Sequence, residues 1–136
     1  MPPLSRYMTY QPWTIRRDAR LAQARDMMRE HHIRHLPVLE GGELVGVLSD
    51  RDLAVFERGR GFASDATVED AMTQDVQTAQ AGDPVDKVVD SMVVHKHGCI
   101  VVIDRHNQVE GIFTTIDGLQ MLGDVLRRDA LIANPP

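Results

Sequence analysis

The sequence predicts an α/β fold of the α+β kind: two β-α-β-β-α repeats packed sheet to sheet about a pseudo-twofold axis. Three observations lead there. The 136 residues contain an internal repeat at an offset of 64 positions, rising to 65 near the end of each copy. Within each copy, apolar residues at helical spacing alternate with short runs rich in β-branched residues. One copy alone would cover only one side of a small sheet, whereas two copies close a shared core.

The repeat is carried by matched residues in matched order. Met8-Thr9 recurs as Met72-Thr73, Thr14 as Thr78, Leu21 as Val85, and Met28 as Met92. Leu36-Pro37-Val38-Leu39 answers to Ile100-Val101-Val102-Ile103. Gly46-Val47-Leu48-Ser49 then meets Gly111-Ile112-Phe113-Thr114, and Asp52 meets Asp117. The extra residue of the second copy falls between Asp104 and Val109, where a loop belongs.

Each element has a local reason. Trp13 and Ile15 form a short extended piece behind Pro12, which disfavours helix at Gln11. Leu21, Ala24 and Met28 recur at helical spacing, as do Val85, Val88, Val89 and Met92. Both helices run into histidines, His31 and His32 in one copy and His95 and His97 in the other. Leu36 to Leu39 and Leu44 to Leu48 flank Gly41-Gly42, a two-residue hairpin signal. Arg105-His106-Asn107-Gln108 makes the longer second connection. A last helix closes each copy, over about Asp50 to Arg58 and about Thr115 to Asp129. The expected organisation is a first repeat at 1–58, a linker at 59–66, a second repeat at 67–130 and a tail at 131–136.

Composition narrows the function classes. Fifteen Lys and Arg stand against 20 Asp and Glu, a net charge of −5, with 43% hydrophobic and 26% charged residues. That is ordinary for a soluble globular chain, and it argues against broad nucleic-acid binding, which needs a cationic surface. The single cysteine, Cys99, excludes an intrachain disulfide framework and a multi-cysteine zinc site. Apolar runs such as Cys99 to Ile103 are far too short to cross a membrane, and Met1 to Arg6 lacks the order of a secretory signal. A cytoplasmic protein is expected.

The chemistry-bearing candidates are few. From spacing alone Ser49-x-x-Asp52 and Thr114-x-x-Asp117 read first as helix N-terminal caps, and they also fit a carboxylate that receives ligand hydroxyls. The residues alone leave both roles open. The six histidines show no His-Glu-x-x-His spacing, so no metal is expected. Cys99 sits in an apolar run and reads as an inert buried thiol. Met27, Met28, Met92 and Met121 fall on helical stripes and read as core or dimer contacts. Met27, Val89, Leu119 and Leu122 are positions that one pair of repeats leaves incompletely covered. Arg58-Gly59-Arg60-Gly61 reads as linker rather than an RNA-binding tract. There is no Walker loop, Rossmann fingerprint or nucleophile–base context, so neither an enzyme nor an obligatory cofactor is expected.

Met8-Thr9, Ile33-Arg34-His35-Leu36-Pro37-Val38 and Gly46-Val47-Leu48-Ser49-Asp50-Arg51-Asp52-Leu53 together resemble the tandem cystathionine-β-synthase (CBS) domain pair, or Bateman module. The resemblance runs from about Leu4 to about Leu126. It implies a stand-alone regulatory module binding an adenosine compound, AMP, ADP or ATP, in a groove between the repeats. S-adenosylmethionine and NAD are further ligands of that family. It also implies a homodimer that signals by changing shape. The alternative is a ligand-independent dimeric scaffold that regulates a partner enzyme.

The resemblance further implies two grooves, each joining the Ser/Thr–Asp element of one repeat to strands of the other. One would join Thr114 and Asp117 to Thr14, Ile15, Ile33, Arg34, His35 and Pro37, with Arg34 and His35 approaching phosphates. The other would join Ser49 and Asp52 to Thr78, Gly98, Cys99 and Val101. There Gly98-Cys99 replaces Arg34-His35, so the cationic contribution is missing and the grooves should differ.

Overall fold

The computed structural model describes residues 1–60 and 65–133; of the expected linker and tail, 61–64 and 134–136 lie outside the described residues. A short 3-10 turn, Leu4–Arg6, opens the chain, followed by β1 (Thr9–Tyr10), β2 (Ile15–Arg16) and α1 (Leu21–His31). The first hairpin is β3 (His35–Glu40) and β4 (Glu43–Ser49), and α2 (Asp50–Arg60) follows it. Then come α3 (Val68–Ala71), β5 (Thr78–Ala79), α4 (Val85–His95), β6 (Cys99–Ile103), β7 (Val109–Thr114) and α5 (Thr115–Ala133). The two β-α-β-β-α repeats are therefore present in order.

Several boundaries have visible local causes. Gly41 and Gly42 have φ of 57° and 83°, both left-handed, and Glu40 pairs with Glu43 across them. That is the turn in which glycine avoids a Cβ clash. His32 and Lys96 close α1 and α4 in the left-handed region, their N–H groups donating to the Met28 and Met92 carbonyls. α2 and α5 run past their expected ends at Arg58 and Asp129. The residues after Asp129, Ala130-Leu131-Ile132-Ala133, contain no helix breaker.

The strands form two sheets, in the orders β2-β3-β4 and β1-β7-β6-β5. In each sheet, a short parallel strand flanks an antiparallel hairpin: Ile15 pairs with Val38, and Thr78 with Val101. Alternate residues of the hairpins face opposite ways. Leu36, Val38 and Leu48 join Leu21, Ala24 and Met28 in one core; Ile100, Val102 and Phe113 join Val85, Val88 and Met92 in the other. Pro37 and Val101, on the opposite sheet faces, are also fully buried. The pseudo-twofold relation extends to backbone hydrogen bonds. Asp50 N–H donates to the Arg34 carbonyl at 3.0 Å, and Thr115 N–H to the Gly98 carbonyl at 3.2 Å.

The repeats exchange their leading segments. β1 pairs with β7, and Leu4 and Met8 enter the core of the second copy. Reciprocally, Thr73 bridges Val47 of β4, and Ala66 and Val68 enter the core of the first copy. Each buried aliphatic side chain stabilises the fold by about 1.5–3 kcal/mol, so neither core is complete without the other copy.

This exchange explains the repeated glycines. A Cβ on Gly111 would stand 2.7 Å from Met8 Sδ and 2.9 Å from the Thr9 carbonyl oxygen. On Gly46 it would stand 2.7 Å from Met72 Sδ and 3.0 Å from the Thr73 carbonyl oxygen. The Met-Thr element of each copy lies directly over the glycine of the other.

The inserted loop of the second copy adds an unsymmetrical tie. Leu44 N–H donates to the Asn107 carbonyl at 3.1 Å, and Asn107 Nδ2 donates to the Leu44 carbonyl at 3.0 Å. Asp104 shapes the loop by accepting from the Gln108 N–H and then the His106 N–H, and these bonds hold its carboxyl below the ordinary value.

Candidate ligand-binding site

Between the repeats lies a groove of about 350 Å³, a volume at the small end for organic ligands. One wall comes from the first copy: Pro12, Trp13, His32, Ile33, Arg34 and His35. The other is Ile112 and Thr114 of β7 with Thr115, Ile116, Asp117 and Gln120 of α5, and Thr9 of β1 closes one side. Gln11, at φ 48°, reverses the chain between Thr9 and Trp13, so one short segment serves both the second sheet and this wall.

Asp117 caps α5 and faces the groove at once. Its Oδ2 accepts from the Thr114 N–H at 2.8 Å and the Thr114 hydroxyl at 3.2 Å, and its Oδ1 accepts from the Thr9 hydroxyl at 3.0 Å. An ionised carboxylate has about four acceptor positions, and these bonds occupy three. Asp52 repeats the pattern at α2. It accepts from the Ser49 N–H at 2.9 Å and returns its own N–H to Ser49 Oγ at 3.0 Å. Thr73 Oγ1 lies 3.4 and 3.5 Å from the two Asp52 oxygens, longer than the Thr9–Asp117 bond.

Of the residues expected in the first groove, the structure brings Ile33, Arg34, His35, Thr114 and Asp117 to its lining. Thr14, Ile15 and Pro37 do not line it. Ile15 is 5% exposed among the first core's residues, and Pro37 is fully buried. For Ile15 and Pro37 the cause is strand alternation: β2 and β3 lie in register, so both side chains pack within the protein. Thr9, Trp13, Ile112, Ile116 and Gln120 line the groove and were not expected there. Thr9 had a signal, its recurrence as Thr73; Trp13 had none beyond its place next to Thr14.

Charge divides unevenly along the walls. Burial pushes the His35 imidazole below its ordinary value, nearby Asp50 and Asp52 pull it upward, and Arg34 presses it down. His35 is thus largely neutral at pH 7, and Arg34 remains the permanent cation of the lining. The N-terminus of α5 adds oriented N–H groups and positive dipole on the same side.

The residues expected in the second groove occupy different settings. Ser49 and Asp52 form the α2 cap with Thr73 nearby. Thr78 and Val101 are strand partners. A Cβ on Gly98 would stand 3.5 Å from His35 Nε2, an ordinary contact, so the first copy's imidazole packs beside this position. Cys99 is half-buried; burial, and then the Asp52 charge, pushes its thiol up to about 11. At Gly98-Cys99 the second copy thus sets His35 of the first copy against a small residue and supplies no second cation.

A larger depression, of about 780 Å³, lies where Arg17 meets Glu40 and Glu69. Arg17 bonds both carboxylates, at 2.7 and 2.6 Å, so its charges are satisfied by one another. Such exposed pairs contribute about 0–1 kcal/mol and offer no free group to a ligand. Among the described residues, no group of three or more His, Cys, Asp or Glu is placed to hold a metal ion. No helix among them is long and apolar enough to cross a membrane.

Comparison with known proteins agrees with this architecture. The chain is 32% identical over 114 residues to L-aspartate semialdehyde sulfurtransferase of Methanocaldococcus jannaschii. That match takes in 82% of this chain but only 21% of the relative, so the chain spans about a fifth of that protein. A Vibrio cholerae structure provisionally described as the acetoin utilization protein AcuB superposes with a TM-score of 0.87 at 26% identity, over 96% of each chain. The CBS domain pair of protein MJ0100, solved with 5′-methylthioadenosine and S-adenosyl-L-methionine, superposes at 0.83 with 27% identity, over 91% of this chain and 98% of that one. The CBS domain family model matches residues 4–58 and 68–124, and with two such units exchanging their leading segments, this chain belongs to the CBS domain family as a tandem pair.

Proposed function

We infer that this CBS pair is a regulatory module that senses an adenosine-containing ligand of the AMP, ADP or ATP class in the groove between its repeats. The observation that carries the reading is Asp117. Its carboxylate stands at the groove beside Thr114 and the start of α5, with Arg34 on the same lining. A carboxylate accepts from both ribose hydroxyls, a helix N-terminus suits phosphate oxygens, and an arginine fork donates paired bonds to them. The MJ0100 pair, 27% identical, holds adenosine compounds, which favours the same ligand class here. The second groove, at Ser49 and Asp52, is the weaker site in this reading, because it lacks the arginine; fully buried Val101 is not part of it.

The same reading includes a homodimer. Ile116, Leu119, Leu122 and Leu126 make an exposed apolar stripe along α5, while Met27 and Val89 are half-buried against the two cores. A second copy over the α5 stripe would remove it from water. Binding signals only if the ligand's affinity differs between two shapes of that dimer.

The deciding experiment is calorimetric titration, on protein shown to be free of bound nucleotide, with AMP, ADP, ATP, S-adenosylmethionine and NAD. Saturable binding of at least one adenine nucleotide is expected. No binding of any of the five, with a dimer intact by light scattering, overturns nucleotide sensing in favour of the ligand-independent scaffold.

A further inference from the structure

We propose that the Trp13 indole is the stacking platform of the groove and makes it selective for ligands that carry a planar base; this rests on the adenosine reading above. Trp13 is 53% exposed, an unusual exposure for the chain's single tryptophan. One face is already used. The His31 imidazole stacks on it with ring centroids 3.8 Å apart and planes 9° from parallel. Trp13 lines the groove and His31 does not, and in this proposal an incoming base takes the indole face that His31 leaves uncovered.

Neighbouring structure holds the ring in that pose. Pro12 restricts the backbone just before it. His31, in the last turn of α1, braces the ring from behind. The cavity shared with Trp13 also presents Ile33, Ile112 and Ile116, aliphatic surface suited to the second face of a flat heterocycle. The polar groups, Thr114, Asp117 and Arg34, suit a sugar and phosphate. A ligand bound as His31–Trp13–base extends an existing stack by one layer, and the platform is oriented before the ligand arrives.

The indole also reports on itself, because all tryptophan emission from this chain comes from Trp13. The test titrates the parent with adenosine and with AMP, following heat and Trp13 emission together, and repeats the calorimetry on Trp13→Phe and Trp13→Leu. Emission is expected to change saturably with the calorimetric Kd. Trp13→Leu is expected to weaken both ligands about tenfold, the scale of one base–aromatic stack, while Trp13→Phe loses about threefold or less. Binding by heat without any emission change overturns the platform, as does Trp13→Leu binding like the parent; either result leaves the adenosine reading standing. Absence of binding to the parent overturns both.

Discussion

The Thr9 hydroxyl donates a 3.0 Å hydrogen bond to Asp117 Oδ1 across 108 positions of sequence. It ties the first strand, β1, to the helix that closes the second repeat. It also takes one of the two acceptor positions on that oxygen, leaving one open, whereas the proposed ribose contact needs two. Thr9 and a ribose hydroxyl thus compete for one acceptor.

Thr9→Val removes that competitor. Stability in urea is expected to fall by about 0.5–1.5 kcal/mol, the usual net worth of one hydrogen bond. Adenosine affinity, measured by calorimetry, is expected to rise severalfold. A large drop in affinity would instead make Thr9 a ligand-holding residue.

Asp117→Ala and Asp52→Ala each remove the acidic half of a capping box and leave the Thr114 or Ser49 N-cap in place, and each is expected to cost up to about 1 kcal/mol of stability. Their binding effects should differ. Asp117→Ala loses charge-assisted bonds of about 1.5–3 kcal/mol each, about a tenfold or greater loss of affinity. Asp52→Ala leaves the stronger binding event unchanged. Arg34→Ala weakens ADP more than adenosine, because only phosphate meets the guanidinium. Equal weakening of the two ligands would remove the phosphate role.

Gly111→Ala and Gly46→Ala force a Cβ against a backbone carbonyl and a methionine side chain, and are expected to destabilise by about 1–3 kcal/mol. Gly98→Ala serves as the control. Its nearest neighbour is His35 Nε2 at 3.5 Å, an ordinary contact, so its stability by chemical denaturation should stay near the parent's.

Two titrating groups bracket the pH range of full stability. His35 is held below its ordinary 6.5, so in acid the unfolded chain takes up the proton first. Its contribution is complete above about 6.5 and is lost as pH falls from there toward the folded value. Cys99 is held up to about 11 against an ordinary 9.0, so the unfolded thiol ionises first in base. Stability falls as pH rises from 9 toward 11. Denaturant midpoints measured across pH, on the parent and on Cys99→Ser, check the alkaline limb. In the native state Cys99 should react slowly with iodoacetamide at pH 8, because its thiolate is scarce.

The repeat, the elements and their order were legible in the sequence because they rest on local physics. Helical spacing at Leu21, Ala24 and Met28, the Gly41-Gly42 turn and the Ser49/Asp52 and Thr114/Asp117 caps each need only a few neighbouring residues. Arg34, His35, Thr114 and Asp117 could be nominated for the same groove because the repeat and its family resemblance brought them together.

Tertiary structure decided what depends on which copy a segment joins. The leading segments carry Met8-Thr9 and Met72-Thr73, whose partners are Gly111 and Gly46 of the opposite copy, a choice no local pattern encodes. From that exchange follow the Thr9–Asp117 bond and Trp13's place in the groove wall. The burial of Ile15 and Pro37 comes from the register of β2 on β3, since a strand sends alternate side chains to opposite faces. The fit of His35 over Gly98 likewise required the two sheets to meet. Periodicity along a chain specifies which face is apolar; only packing specifies what that face, or the one behind it, will touch.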